Sequence, residues 1–184
     1  MATAEGGAQG LTAAHKRFLI RDALIIAALA NAGLNALIAW LFTLGEDEIP
    51  LIAVPLVEGP SVITDTVGTF FVLTFLTTLA ITTAVWKEMR AGHLTRLPLS
   101  RGSFADRLPD TRLRRATRLG LLCMLVLGPP AVLVLLLLDY GDLSIGEFVT
   151  YKAIFGVLLG ALVTPLIAMV AFGDDPPPEE PATA

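Results

Sequence analysis

The sequence has few of the residues on which soluble enzymes depend, with 1 cysteine and 2 histidines among 184 residues. Cys123 cannot form an intramolecular disulfide, and a thiol inside an apolar run is usually inert. His15 and His93 lie in separate segments and have no partner at metal-ligand spacing. No phosphate-binding glycine loop, HExxH motif or nucleophile-elbow serine occurs. The sequence therefore predicts no metal ion, no cofactor and no catalytic residue of these kinds.

Charged residues are also scarce, at 16% of the chain, whereas apolar residues make up 54% and the mean hydropathy is +0.72. Four uncharged apolar runs occupy residues 23–44, 66–86, 119–138 and 153–173. At about 1.5 Å per residue, each run matches the roughly 30 Å hydrocarbon core of a bilayer. We therefore predict an all-α polytopic integral membrane protein. Its antiparallel four-helix bundle should have helices at about 18–44, 62–86, 117–138 and 147–172.

Basic residues are almost absent from one side of the predicted bundle. The connections 45–65 and 139–146 contain none, whereas all Lys and Arg except Lys152 fall before the first uncharged run or between the second and third. Because short connections rich in Lys and Arg stay cytoplasmic, both termini and the basic loop 87–116 are predicted to face the cytoplasm. Compact helices with short loops favour a bacterial inner membrane.

The sequence also predicts which residues contact lipid headgroups and which terminal segments are disordered. Arginines where the basic loop enters helix 3 are expected to contact anionic lipid headgroups, and these are Arg112, Arg114, Arg115 and Arg118. Alternatively, the loop only sets topology. With one aromatic and no reader motif, it does not suggest a nucleic-acid partner. Residues 1–15 and the acidic, proline-rich tail 174–184 are predicted to be disordered on either side of the membrane domain 16–173. The tail could instead meet the basic loop.

Polar side chains inside the apolar runs are the candidate site, because a membrane retains them only where they find partners, water or a function. Lys152 and Asp65 lie at similar depth in the outer turns of helices 4 and 2, and Asp65 is the nearest counter-charge for Lys152. Asn31 and Asn35 share one face of helix 1, while Thr69 follows Asp65 by one turn. Two interpretations remain open: a gate for an ion or solute, or interhelical hydrogen bonds that only fix the packing.

Helix 4 carries a stripe of small residues on the same face as Lys152. Gly156 and Gly160 form a GxxxG pair, which allows close helix approach, and Thr164 continues the stripe. This stripe could pack within the chain or between copies of it. Pro129 and Pro130 in helix 3 and Pro165 in helix 4 each remove a backbone hydrogen bond, so both helices are predicted to kink.

Three functional hypotheses follow from these features. The first is a small transporter or channel subunit with its polar cluster in the outer half of the membrane. Because four helices enclose little space, this hypothesis implies a homo-oligomer. The second is an accessory or assembly subunit of a larger membrane complex, for which a small-residue stripe facing outward would be evidence. The third is an intramembrane lipid-modifying enzyme, which would need a lipid-accessible carboxylate cluster. The sequence does not specify a substrate.

Overall fold

The computed structural model describes residues 10–53, 61–97, 104–109, 111–138 and 141–177. Within these ranges, four helices are long and apolar enough to cross a membrane: α1 Ala13–Phe42, α2 Val62–Arg90, α3 Arg112–Leu138 and α4 Ile145–Ala171. A 3-10 turn covers Phe104–Arg107, and two short strands are β1 Glu48–Ile49 and β2 Leu143–Ser144. The chain is therefore mostly helical, with the length and composition of an integral membrane protein.

Three helices begin at capping residues that are visible in the sequence. Thr12 caps α1 in a reciprocal capping box with His15, and Ser144 caps α4 in a second box with Glu147. Ser61 caps α2 by accepting a hydrogen bond from the backbone N–H of Thr64. These side chains satisfy N–H groups that have no partner within the helix. Helix α1 consequently begins at Ala13, about five residues before its predicted start.

The first half of α1 contains a π-helical segment, Phe18–Ile26, which the apolar periodicity did not reveal. Wider π turns are rare and frequently occur at functional sites. The segment runs from Arg17, at its N-cap, into the mainly apolar α-helix Ala27–Phe42. It therefore changes which α1 side chains share a face near the start of the helix.

The helices pack in the order α1, α4, α2, α3. Helix α4 lies antiparallel to α1 and parallel to α2. Helix α3 lies antiparallel to α2, at the other end of this order from α1. At one end of this arrangement, β1 and β2 pair with Glu48 opposite Ser144 and Ile49 opposite Leu143. We call this the acidic end. The opposite end, which carries residues 10–17, 91–97 and 104–109 and the described chain after α4, is called the basic end.

Two apolar clusters hold the ends together. At the acidic end, Ile49, Val62 and Phe148 are buried beside Ala39. At the basic end, Phe172 is fully buried against the rings of His15 and Phe18. The N-terminal and C-terminal ends of the described chain therefore lie together on one side of the helices.

The predicted proline sites lie inside continuous helices, since α3 runs through Pro129 and Pro130 and α4 runs through Pro165. Their kinks stay predictions. Of the segments predicted to be disordered, residues 1–9 and 178–184 lie outside the described part of the chain. Residues 13–15 are instead helical, and residues 174–177 are held by contacts at the basic end.

Candidate functional site

Lys152 is the most deeply buried charged side chain in the helices, with a relative exposure of 1%. Its ammonium group forms an ion pair with Asp65 and donates a hydrogen bond to the hydroxyl of Thr69. Thr69 in turn donates to the backbone carbonyl of Asp65 at 2.7 Å. The Phe155 ring lies 5.8 Å from the Lys152 nitrogen. The structure thus joins three predicted site residues into one cluster between α2 and α4, called the charge cluster below.

A second hydrogen-bonded contact lies beside the charge cluster. Thr66 donates to the carbonyl of Val62 at 2.6 Å, and its oxygen lies 2.7 Å from the hydroxyl of Tyr151. Because the Thr66 proton is already donated, the Tyr151 hydroxyl is the donor in that contact. Sequence reasoning missed Tyr151, although its position next to Lys152 was an available signal. Together the two contacts tie α2 and α4 to each other in the turns nearest the acidic end.

Asn31 and Asn35 lie against the glycine stripe of α4 rather than in the charge cluster. An added Cβ at Gly156 would lie 2.7 Å from the backbone oxygen of Asn31. An added Cβ at Gly160 would lie 2.6 Å from the side-chain nitrogen of Asn31. Asn35 donates to the Asn31 carbonyl at 2.8 Å. The stripe therefore packs within the chain, and its glycines allow the α1 backbone to approach α4 closely.

The polar contacts continue toward the basic end. Thr77 of α2 donates to the Asn31 side-chain oxygen at 3.3 Å, which links α1 to α2 across the α4 surface. The Asn31 side-chain nitrogen and the hydroxyls of Thr82 and Thr164 are buried and have no hydrogen-bond partner among the described residues. Buried polar groups normally find a partner. This part of the helix contact therefore retains capacity for further hydrogen bonds.

A cleft of about 1060 Å³ opens between α1 and α2, which make little direct contact with each other. Its deep end is lined by Asn31, Leu34 and Thr77 near the middle of both helices. Its mouth, at the basic end, is lined by five charged side chains and one histidine, namely Arg17, Arg21, Asp22, Lys87, Glu88 and His93. The cleft thus reaches the polar residues of α1 from the basic end, whereas the charge cluster lies toward the acidic end.

The basic end has a second buried ion pair that sequence reasoning missed. Both terminal nitrogens of Arg115 donate to Asp174, at 2.6 and 2.8 Å, and the Trp86 indole donates to the same carboxylate at 3.0 Å. The Arg115 side chain is only 6% exposed. This pair joins α3, α2 and the chain after α4. The only sequence signal for it was the general possibility that the acidic tail meets the basic loop.

This pair requires a correction to the predicted headgroup contacts, because Arg115 is buried and its guanidinium is used by Asp174. The other three arginines remain exposed. Arg112 lies over the Trp86 ring at 5.1 Å, and Arg118 donates to the carbonyl of Arg107 at 3.1 Å. Arg114 has no side-chain partner within the part of the chain that the structure describes. Headgroup contact therefore stays a prediction for Arg112, Arg114 and Arg118.

The chemistry of the described residues is that of ion pairs and hydrogen bonds. Among residues 10–53, 61–97, 104–109, 111–138 and 141–177, no group of three His, Cys, Asp or Glu side chains could hold a metal ion. Cys123 is buried in α3 and is not part of a disulfide. No family model matches this chain, and no curated protein or solved structure is significantly similar to it.

Proposed function

We propose that this protein transports a small solute across a membrane, with the basic end facing the cytoplasm. In this proposal the charge cluster of Asp65, Thr69 and Lys152 closes the path at the outer side. The cleft between α1 and α2 is the open cytoplasmic half of the path. Asn31 and Thr77 lie between these two parts.

The observation that carries the proposal is the arrangement of polar side chains at several depths beside a cleft that enters from one end. Lys152 and Asp65 lie toward the acidic end, Asn31 and Thr77 line the deep end of the cleft, and the cleft mouth is charged. Removing two charges from water costs several kcal/mol per ion, which their attraction only partly offsets. Separation of this ion pair during transport would explain why the protein keeps two charges in the helix contact despite that cost.

The glycine stripe gives no support to the alternative of an accessory subunit. That hypothesis would be favoured by small residues facing outward, whereas Gly156 and Gly160 are covered by Asn31 and Asn35 of α1. The enzyme hypothesis is likewise unsupported, because the Asp65 carboxylate is paired with Lys152 rather than grouped with other carboxylates.

The leak of protons through the reconstituted protein tests the gate without knowledge of the solute. The purified protein is placed in liposomes that contain a pH-sensitive dye, and proton entry is followed after a potassium gradient and valinomycin impose a potential. We expect Asp65→Asn and Lys152→Met each to raise the leak by about tenfold or more, because each leaves a polar group without its partner in an apolar region. The Glu46→Gln variant, which removes an exposed carboxylate of the acidic end, should leave the leak unchanged.

The exchanged variant Asp65→Lys with Lys152→Asp provides the folding control. It restores opposite charges across the contact, so we expect a lower leak than in either single variant. Thermal unfolding in detergent is measured for each protein. If both single variants unfold at lower temperature but their liposomes stay as tight as those of the parent, the charge cluster only holds helices together and the transport proposal is wrong.

A further inference from the structure

We infer that the cleft between α1 and α2 binds a single-chain organic anion, with its anionic head at Arg17 and Lys87 and its apolar chain along the cleft walls. This inference rests on the proposed function, because it names the class of solute that enters the same path. It is carried by the charges at the mouth, the local form of α1 and the composition of the walls.

Most of the polar side chains at the mouth already contact a neighbour on their own segment. Arg21 contacts Asp22 at 3.1 Å, and the His93 ring nitrogen lies 2.9 Å from the Glu88 carboxylate. Arg17 and Lys87 form no side-chain hydrogen bond or ion pair with any residue of the described ranges. These two cations come from opposite walls of the cleft. An anionic head bound between them would therefore gain two charge-assisted hydrogen bonds.

The π-helical segment of α1 coincides with this mouth. It begins directly after Arg17 and ends at Ile26, and both residues line the cleft. A turn of π-helix holds more residues than an α-turn. Residues spaced by four or five, such as Arg17, Arg21 and Ile26, consequently share the cleft face. The backbone irregularity thus brings the charged and apolar lining onto one side of α1.

Beyond the mouth, the walls of the cleft are apolar. They are formed mainly by small and aliphatic side chains, among them Ile26, Ala27, Ala30, Ala80, Ile81 and Ala84. From Arg17 to Asn31 the cleft follows α1 for ~20 Å at the α-helical rise. Its volume of about 1060 Å³ is near the upper end of the range of small-molecule sites. An extended apolar chain with one charged end matches this distribution of polarity. A fully hydrated ion would make no apolar contact with the walls.

Binding is measured with radiolabelled dodecyl phosphate and the full-length protein in phosphatidylcholine nanodiscs, after subtraction of binding to empty nanodiscs. We expect saturation at one molecule per chain. Dodecanol, which lacks the charge, and inorganic phosphate, which lacks the chain, should compete at least about tenfold more weakly. Phosphatidylglycerol, a two-chain lipid with an anionic head, should also compete weakly. If it displaces the probe as well as unlabelled dodecyl phosphate does, the site takes membrane lipid and the inference is overturned.

Two matched pairs of variants locate the site. Replacing both Arg17 and Lys87 by Gln should weaken binding by about tenfold or more, whereas replacing Lys16 and Arg114 by Gln removes two exposed charges of the same end outside the cleft. Ala80→Phe should block the cleft, whereas Leu121→Phe alters an exposed position of α3. Equal affinity within either pair contradicts the inference.

The leak assay separates this inference from the transport proposal. The binding assay does not depend on flux. If an Asp65→Asn protein binds the probe specifically but does not leak, the cleft is a binding site and the proposed gate is wrong. A leaking Asp65→Asn protein that binds none of the probes would remove only the assignment of the solute class.

Discussion

The close approach of the α1 backbone to Gly156 of α4 gives the sharpest prediction for stability. At Gly156, an added methyl group would lie 2.7 Å from the Asn31 backbone oxygen and 3.0 Å from its carbonyl carbon. Backbone atoms cannot move aside without shifting α1, so Gly156→Ala overpacks the contact. Such changes cost about 1–3 kcal/mol. The replacement also has a favourable part, since Ala is about 1 kcal/mol better than Gly inside a helix.

Gly68 in α2 is the matched control, because an added Cβ there meets nothing within 4 Å. Gly68→Ala keeps the favourable helix term without the clash, so the difference between the two variants isolates the overpacking cost. We expect Gly156→Ala to be about 1–3 kcal/mol less stable than Gly68→Ala. Reversible unfolding of the detergent-solubilised protein, followed by circular dichroism during titration with dodecyl sulfate, measures both. Equal stability of the two variants would refute the close approach of α1 and α4.

Two further predictions concern the basic end and the environments of the tryptophans. Asp174→Asn should destabilise the protein by about 3 kcal/mol because it leaves the buried Arg115 without its counter-charge. The control is Asp175→Asn, at a carboxylate that is 76% exposed, which should cost less than about 1 kcal/mol in the same unfolding assay. Similar losses would argue against a buried pair. Trp40 is 50% exposed on α1 and Trp86 is 7% exposed, so brominated lipids should quench a Trp86→Phe protein, which retains Trp40, much more than a Trp40→Phe protein. Equal quenching would contradict this packing.

The four helices were predictable because the length, the hydropathy and the lack of charge of each apolar run are local properties of the sequence. All four predicted spans correspond to helices, and the shifts of their ends follow caps such as Thr12 and Ser144. The proximity of Lys152 and Asp65 was also accessible from the sequence, because helix rise fixes depth and charges in lipid require partners. The pairing of the asparagine face with the glycine stripe follows similar reasoning, since both surfaces were identifiable from a four-residue spacing.

Other features depend on which helices meet, and this information is not local. Helices adjacent in sequence usually pack together, but α1 packs mainly on α4 and leaves the cleft beside α2. The Arg115–Asp174 pair likewise joins α3 to the chain after α4, so it depends on packing across the whole chain. The π-helical segment involves a change of hydrogen-bond register that leaves no mark in the apolar pattern. The strand pair has only two residues on each side, too few for a periodic signal.

Thiol labelling from each side of the membrane tests the central claim, that the path is closed at the acidic end and open at the basic end. In a Cys123→Ser background, a single cysteine replaces the buried Asn35, the cleft residue Ala30 or, as a lipid-facing control, Leu29. The reagent is a charged, membrane-impermeant maleimide, applied to vesicles of known orientation. The Ala30 cysteine should react from the basic side and the Leu29 cysteine from neither side.

The decisive position is residue 35, measured with and without the charge cluster. The Asn35→Cys protein should be unreactive from the acidic side while Asp65 and Lys152 are paired, and should react from that side once Asp65→Asn is added. That gain of labelling is the result the account predicts. If residue 35 is equally unreactive with and without Asp65→Asn, while the Ala30 cysteine reacts no faster than the Leu29 cysteine, the helices enclose no gated path and the account is contradicted.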